Sequence, residues 1–199
     1  MRQRLDHGPV DYQVARLNEV WSDHRARTLV TGALIAWLKP DSILDPACGD
    51  GSIVFEATRL HRAEYLSLCD ISQPNVDRLM ALGPPYPGQS MHVGRLDIAE
   101  AIRRPVPGGD KWDIIVLTEI LEHLEDPDEI VRLARERATR VVASSPLMRP
   151  GQIDPNPEHL WMFDNEGYAE MLADAGWKLQ QFTFLQFPTI YDFGVWVCS

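Results

Sequence analysis

The chain has 199 residues, of which 45% are hydrophobic, so it is long enough to bury the core of one domain. Its 19 Lys and Arg residues against 29 Asp and Glu residues give a net charge of −10. This charge disfavours a nucleic-acid-binding protein, because such proteins usually present a basic surface. The three cysteines have no repeated spacing, so they form neither a disulfide framework nor a zinc ribbon.

Two predicted helices come first in the chain. The earlier covers residues 12–20. The later begins at Asp23, which can cap it, and ends before Pro40, with Leu29, Ala33, Leu34 and Trp37 at helical spacing. Short apolar runs then alternate with helical patterns. They predict strands at 42–45, 65–69, 90–96, 112–117 and 140–144, and helices at 52–60, 76–82, 98–103 and 127–137.

The last third of the chain differs from this alternation. A predicted helix over 165–175 is followed by two predicted strands, 178–187 and 191–198, with no helix between them. We expect this last pair to be antiparallel, whereas the alternating units before it predict a parallel sheet covered by helices on both faces. The whole chain is predicted to be one α/β domain, residues 1–199, with a seven-stranded, mostly parallel sheet in a three-layer α/β/α sandwich.

The polar N-terminus lacks the apolar core of a signal peptide, and no run approaches the roughly 18 apolar residues of a membrane span. A soluble protein of the cytoplasm is therefore expected.

A glycine-bearing segment, Asp45-Pro46-Ala47-Cys48-Gly49-Asp50-Gly51, lies between the strand at 42–45 and the next helix. Glycines at such a junction let backbone N–H groups approach a ligand closely. Val54 occupies the place of the third glycine of the dinucleotide pattern, which disfavours pyrophosphate binding and therefore a nicotinamide-dependent oxidoreductase.

Acidic residues follow four of the predicted parallel strands, and these are Asp45, Asp70, Asp97 and Glu119. In open α/β sheets ligands bind at the carboxyl edge, where these residues should meet. Four carboxylates suit a ligand with a cationic end and hydroxyl groups, and Asp70 follows Gly51 at about the distance expected of a ribose-binding acid. Each acid has a simpler alternative role, in a turn or as a helix cap, and for Asp97 the alternative is to cap the helix at 98–103.

These residues carry a family resemblance. The segment from Ile43 to Ala57, with Asp70, Asp97 and the run from Trp112 to His123, resembles the class I, Rossmann-like methyltransferases that use S-adenosylmethionine. The stretch from Glu158 to Phe163 and the later Ala175-Gly176-Trp177 are similar to the late region of that family. The resemblance implies S-adenosylmethionine as cofactor and a sheet whose last strand is antiparallel.

The resemblance also implies roles for individual residues. Asp45 and the backbone of Ala47, Cys48, Gly49, Asp50 and Gly51 hold the methionine end. Asp70, with its neighbour Ile71, holds the ribose, Asp97 and Ile98 contact adenine, and Thr118 and Glu119 lie at the sulfonium side. Ala47 stands where many members of the family have glycine.

A second group combines Glu119, Glu122 and His123 with the distant His159. Our leading interpretation assigns no metal and takes His123 and His159 as candidates for a catalytic base, since an imidazole titrates near neutral pH. The alternative is a divalent metal held by Glu119, Glu122, His123 and His159, an arrangement that resembles the small-RNA 2′-O-methyltransferases related to plant Hen. A purely structural histidine is the third interpretation.

The function predicted from these motifs is in-line SN2 transfer of the sulfonium methyl group to an O, N or C atom of a small molecule, by a monomer or a homodimer. The helices within residues 1–39, together with the proline-rich loop at 145–157, are expected to cover the site. Candidates to line the acceptor pocket are Tyr12, Trp21, Met148, Trp161 and Phe163.

Three other functions are weighed. A Hen-like, metal-dependent RNA methyltransferase and a non-catalytic cofactor-binding module are the alternatives. A DNA adenine methyltransferase is disfavoured, because Thr118-Glu119-Ile120-Leu121 stands where its Asn/Asp-Pro-Pro-Tyr motif is expected.

Overall fold

A computed structural model describes residues 1–5, 23–149, 151–187 and 191–199. The predicted helix at 12–20 and the pocket candidates Tyr12 and Trp21 lie outside these residues. Every helix in the described part is too short or too polar to cross a membrane.

Five parallel strands form the centre of the molecule, in the order β6-β5-β2-β3-β4. Their bounds are β2 Ser42–Asp45, β3 Tyr65–Asp70, β4 Ser90–Arg95, β5 Trp112–Thr118 and β6 Ala138–Leu147. Consecutive side chains of a strand point to opposite faces. Accordingly Ile114 and Val116 pack in one hydrophobic core, whereas Ile115 and Leu117 pack in another. Both faces of the sheet are therefore covered, as the near-continuous apolar run in β5 predicts.

Six α-helices are described: α1 His24–Trp37, α2 Ser52–Leu60, α3 Gln73–Leu82, α4 Ile98–Arg103, α5 Pro127–Arg137 and α6 Asn165–Asp174. The predicted helix starting near Asp23 is confirmed, but its buried face differs from the predicted one. Leu29 and Trp37 are exposed, whereas the buried residues of α1 include Gly32. A Cβ added at Gly32 would lie 2.9 Å from the Glu56 Cβ, so α1 approaches α2 closely at this small residue, while Ile35 packs in the core beside it.

The last two strands, β8 Leu179–Leu185 and β9 Asp192–Cys198, confirm the predicted antiparallel arrangement. β9 runs antiparallel to β8 on one side and to β6 on the other. The architecture is thus the predicted Rossmann-like sandwich with an antiparallel last strand.

The described sheet has nine strands rather than the predicted seven, because β1 Arg2–Arg4 and β7 Trp161–Phe163 form an additional antiparallel pair. β1 has no apolar alternation that would predict a strand. It is held instead by Arg2, whose guanidinium stacks 4.1 Å over the Trp161 ring and pairs with Asp128.

Residues 145–147, which were predicted to begin the loop, belong to β6 and pair with β9. Phe163, predicted to line the pocket, is 1% exposed and packs in the core against Tyr168.

Candidate active site

A tight turn joins β2 to α2 at the carboxyl edge of the sheet. Gly49 and Gly51 have φ angles of 54° and 77°, in the left-handed region that favours glycine. The Gly51 N–H donates to the Cys48 carbonyl at 2.8 Å and closes the turn. A Cβ on Gly51 would lie 2.7 Å from the Leu79 Cδ2, so the turn has no room for a larger residue at this position.

Two carboxyl groups at the ends of the neighbouring strands β2 and β3 hold this turn. The Asp70 Oδ2 accepts from the Gly49 N–H at 2.8 Å, and its Oδ1 accepts from the Ser72 N–H at 2.8 Å. The Asp45 Oδ1 accepts from the Ala47 N–H at 3.3 Å. Burial, together with the negative charges of Asp70 and Asp50, raises the pKa of Asp45 to about 8. Asp45 is therefore mostly a neutral carboxylic acid at pH 7.

The remaining residues of the turn have structural partners. The Cys48 N–H donates to the Cys69 carbonyl at 2.9 Å, which ties the turn to β3. Both thiols are buried, and burial raises their pKa, so they act as the small apolar side chains that the sequence predicts. The Asp50 Oδ1 accepts from the Ser52 N–H at 3.0 Å, at the start of α2.

Asp97 and Ile71 lie at the far side of the same edge. The Asp97 Oδ1 accepts from the Glu100 N–H at 2.8 Å, and the Glu100 side chain accepts from the Asp97 N–H, so Asp97 forms a capping box on α4. The simpler alternative, a helix cap, is therefore realised for Asp97, with Ile98 partly buried behind it. Ile71 is 55% exposed, which leaves an apolar side chain open beside Asp70.

Glu119 follows Thr118, the last residue of β5, and has a φ of 53°. Both of its carboxylate oxygens have partners: Oε1 accepts from the Ser144 Oγ at 2.6 Å, and Oε2 pairs with the Arg27 Nη1 at 3.0 Å. Arg27 also pairs with the buried Asp23 at 3.1 Å, so one guanidinium ties α1 to the end of β5. Arg27 is a site residue that was not predicted, because nothing in the neighbouring sequence indicates a partner so distant in the chain.

Three of the four alternative metal ligands come together. Among the described residues, Glu122, His123 and His159 each offer one ligand atom, and these atoms all lie within 4.8 Å of one another. Glu122 is fully buried. Its Oε2 accepts from the Ser145 Oγ at 3.3 Å, and its Oε1 has no hydrogen-bond partner among the described residues. Burial raises the pKa of Glu122, and the charge of Glu119 raises it further. Glu119 lies outside this cluster.

Each imidazole of the cluster is held through its Nδ1. The Nδ1 of His123 lies 2.9 Å from the Glu158 carbonyl oxygen, and the Nδ1 of His159 lies 2.6 Å from the Asp154 Oδ2. The two rings meet edge to face with centroids 4.7 Å apart. Burial, and then the neighbouring His159, lower the pKa of His123 to about 4, so His123 is neutral at physiological pH. Sequence reasoning missed Asp154, which lies in an irregular loop without a recognisable motif.

The chain is thus an α/β protein with a glycine turn and several carboxyl groups at the carboxyl ends of its strands, the edge where open α/β sheets bind ligands. The family model for the methyltransferase domain matches residues 44–140, from β2 into β6. This segment contains the glycine turn, Asp70, Asp97 and the run from Glu119 to His123. Among curated proteins, none matches the chain significantly.

Solved structures share the fold at low sequence identity. The magnesium protoporphyrin IX methyltransferase of Synechocystis PCC 6803, solved with bound S-adenosylmethionine, is 16% identical, with a TM-score of 0.66 over 92% of this chain and 85% of that chain. The 1,6-didemethyltoxoflavin-N1-methyltransferase of Burkholderia thailandensis is also 16% identical, with a TM-score of 0.68 over 99% of this chain and 93% of that chain. The [4+2]-cyclase SpnF is 14% identical, with a TM-score of 0.71 over 92% of this chain and 83% of that chain.

The domain match covers just under half of the chain, and the solved structures share its fold. Together they support a class I S-adenosylmethionine-dependent methyltransferase. Because the same fold also occurs in a cyclase, the particular reaction has to be argued from the site rather than from the fold.

Proposed function

We propose that this chain binds S-adenosylmethionine at the turn between β2 and α2 and transfers its methyl group to a small molecule. The observation that carries the proposal is the pair of acidic side chains, Asp45 and Asp70, on either side of a turn with two left-handed glycines. Carboxylates suit the ammonium group and the ribose hydroxyls of this cofactor, and the exposed Ile71 beside Asp70 offers an apolar surface to the adenosyl part.

We propose the following roles for the cofactor-binding residues. Asp45 and the backbone from Ala47 to Gly51 receive the methionine end. Each oxygen of Asp70 accepts one backbone N–H and keeps a second lone pair for a ribose hydroxyl. Asp97 and Ile98 border the adenine. Thr118 and Glu119 lie toward the sulfonium, and Arg27 holds α1 against Glu119 as part of the cover over the cleft.

Isothermal calorimetry with S-adenosylmethionine and S-adenosylhomocysteine tests this assignment. We expect Asp70→Asn to weaken binding of both compounds by about tenfold or more, since each hydrogen bond to a charged group contributes about 1.5–3 kcal/mol. Asp110→Asn, an exposed residue in the loop before β5, makes the same change of charge and should bind as the unaltered chain does. A wild-type chain that binds neither compound would refute the proposal.

The reaction we propose is in-line displacement. The bond from the sulfonium sulfur to the methyl carbon breaks as the acceptor atom forms its bond to that carbon, and sulfur loses its positive charge. The cofactor supplies the reactivity, and the chain supplies binding, orientation and exclusion of water. For an acceptor that must lose a proton, His159 is the preferred base, because the Asp154 carboxylate at its Nδ1 would stabilise the imidazolium that forms. His123 has a carbonyl oxygen rather than a carboxylate at its Nδ1, and burial lowers its pKa.

A small-molecule acceptor is supported by the acidic charge of the chain, which opposes binding to nucleic acids. It also agrees with the names of two proteins that share the fold, a magnesium protoporphyrin IX methyltransferase and a 1,6-didemethyltoxoflavin methyltransferase. A screen of small O, N and C nucleophiles with methyl-labelled cofactor tests the class. Label transferred only to RNA would contradict it, and binding without any turnover would indicate a cofactor-binding module.

A second candidate, metal-dependent methyl transfer, is favoured by one observation, the convergence of Glu122, His123 and His159 with a buried carboxylate oxygen that lacks a hydrogen-bond partner among the described residues. Imidazole and carboxylate are ligands of Zn²⁺ and of related divalent ions, and metal-bound histidines usually donate their other ring N–H to an oxygen, as both rings do here. A bound ion would act as a Lewis acid on the acceptor oxygen.

Titration with Co²⁺, followed by visible absorption, tests the second candidate independently of turnover. One equivalent should bind to the unaltered chain and to His92→Gln, a control outside the cluster, whereas Glu122→Gln and His123→Gln should bind about tenfold more weakly or not at all. Methyl transfer that survives exhaustive chelation would refute metal dependence and leave the leading proposal intact.

A further inference from the structure

Asp154 is a buried carboxylate with three hydrogen-bond partners, and it is 3% exposed. Its Oδ1 accepts from the Asn156 backbone N–H at 2.9 Å and from the Tyr191 hydroxyl at 2.6 Å, and its Oδ2 lies 2.6 Å from the Nδ1 of His159. Three groups able to donate hydrogen bonds thus converge on its two oxygens, an arrangement that suits an ionised carboxylate, which can only accept.

The chemistry of these partners determines which nitrogen of His159 carries hydrogen. An ionised carboxylate can only accept hydrogen bonds, so the 2.6 Å contact requires a hydrogen on Nδ1. A neutral imidazole has one N–H and one lone pair, and its lone pair is then on Nε2. The same reasoning applies to His123, because the Glu158 carbonyl at its Nδ1 also can only accept.

We propose that Asp154 is a positioning residue that, with Tyr191 and the Asn156 backbone behind it, locks His159 in the Nδ1–H tautomer and thereby presents the Nε2 lone pair to the cluster of Glu122 and His123. The lone pair is what His159 needs either to accept a proton from the acceptor or to ligate a metal. The use of this lone pair in methyl transfer or in metal binding rests on the proposed function. The tautomer itself does not, because it is a property of the chain without any ligand.

The surroundings of Asp154 make one substitution decisive. In Asp154→Asn the side chain keeps its shape, but one of its two oxygens becomes an NH₂ group. The Asn156 backbone N–H can only donate, so the remaining oxygen must stay at the Oδ1 position. The NH₂ group then faces the Nδ1 of His159 at the Oδ2 position and donates to it. The His159 proton should move to Nε2, which removes the lone pair from the cluster.

Long-range ¹H–¹⁵N correlation NMR reports the tautomer of each imidazole directly, and the His159 signals are assigned by their loss in His159→Gln. At pH 8, in chelator-treated protein, we expect the Nδ1–H pattern for His159 in the unaltered chain and the Nε2–H pattern in Asp154→Asn. Methyl transfer in that variant should fall by about 10²- to 10⁴-fold, the range of a general acid–base contribution. The spectrum would not change in this way if Asp154 served only to hold the loop.

Asp192→Asn is the matched control. Asp192 is also a buried carboxylate and also anchors this loop, through two hydrogen bonds to Arg149 at 2.8 and 2.9 Å, but in the described part of the chain it makes no hydrogen bond to His159. His159 should keep its Nδ1–H pattern in this variant.

Two results would overturn the inference: an Nε2–H or doubly protonated His159 in the unaltered chain at pH 8, or an unchanged tautomer in a folded Asp154→Asn. If Asp154→Asn fails to fold, the spectrum of the unaltered chain still decides between the tautomers. The measurement needs no cofactor, so a failure of S-adenosylmethionine binding would refute the proposed function without affecting this result. Equally, an Nε2–H tautomer of His159 would refute the inference without affecting cofactor binding.

Discussion

Replacing Asp45 with asparagine should stabilise the fold while weakening the cofactor site. In the unfolded chain Asp45 ionises near its ordinary pKa of 3.8, whereas in the folded chain burial raises the pKa to about 8. A carboxyl group with a raised pKa costs no stability below pH 4, and its cost grows as pH rises toward the folded pKa and is constant above it. About three pH units lie between the unfolded pKa and pH 7, so at about 1.4 kcal/mol per unit the cost at pH 7 is about 4 kcal/mol.

Asparagine removes this cost, because it does not ionise and its carbonyl oxygen can still accept from the Ala47 N–H. Urea unfolding at several pH values measures the difference between Asp45→Asn and the unaltered chain. We expect a gain of about 1–2 kcal/mol near pH 5 and of about 4 kcal/mol near pH 7, with no further change above about pH 8. Asp110→Asn should show no such trend. A difference that is independent of pH, or a variant less stable at pH 7, would refute the reasoning.

The same pKa predicts how cofactor binding depends on pH. A cationic ligand group beside Asp45 favours the ionised carboxylate, so binding should release a proton at pH 7. The affinity for S-adenosylmethionine should then rise by up to about tenfold per pH unit as pH approaches 8 and level off above it. In Asp45→Asn this rise should disappear and the affinity should be lower throughout, as calorimetry in buffers of different ionisation enthalpy can measure.

Three further outcomes are expected. Gly51→Ala should cost about 3 kcal/mol in urea unfolding, from backbone strain and crowding, whereas Gly108→Ala, which has a similar φ and open space around it, should cost about 1 kcal/mol. Arg27→Met leaves the buried Asp23 unpaired and should cost about 3 kcal/mol, whereas Arg59→Met, which breaks an exposed pair, should leave the unfolding midpoint nearly unchanged. The three buried thiols should react with Ellman's reagent at pH 8 only after unfolding; rapid reaction of the folded chain would contradict their raised pKa.

The order and the type of the elements could be predicted because they depend on local patterns. The apolar run in β5, the helix beginning at Pro127 and the two strands without a helix between them all reappear in the structure. The elements that escaped prediction are short or lack such patterns. β1 consists of polar residues that pair with β7, with Arg2 stacked on Trp161, and β7 is apolar but only three residues long. β6 extends to Leu147 because β9 pairs with it beyond the end of β5.

The candidate site divides in the same way. By itself, the sequence determined that a glycine turn follows the first strand of the parallel sheet and that Asp70 and Glu119 lie at the ends of two other strands, since strand ends can be read from apolar runs. Only the tertiary structure decided which of these groups meet. It pairs Glu119 with Arg27 instead of with the histidines, and it places Asp154 against His159. Contacts of this kind depend on how separate segments pack at one edge of the sheet. The proximity of two such segments in space produces no repeating pattern in the sequence of either one.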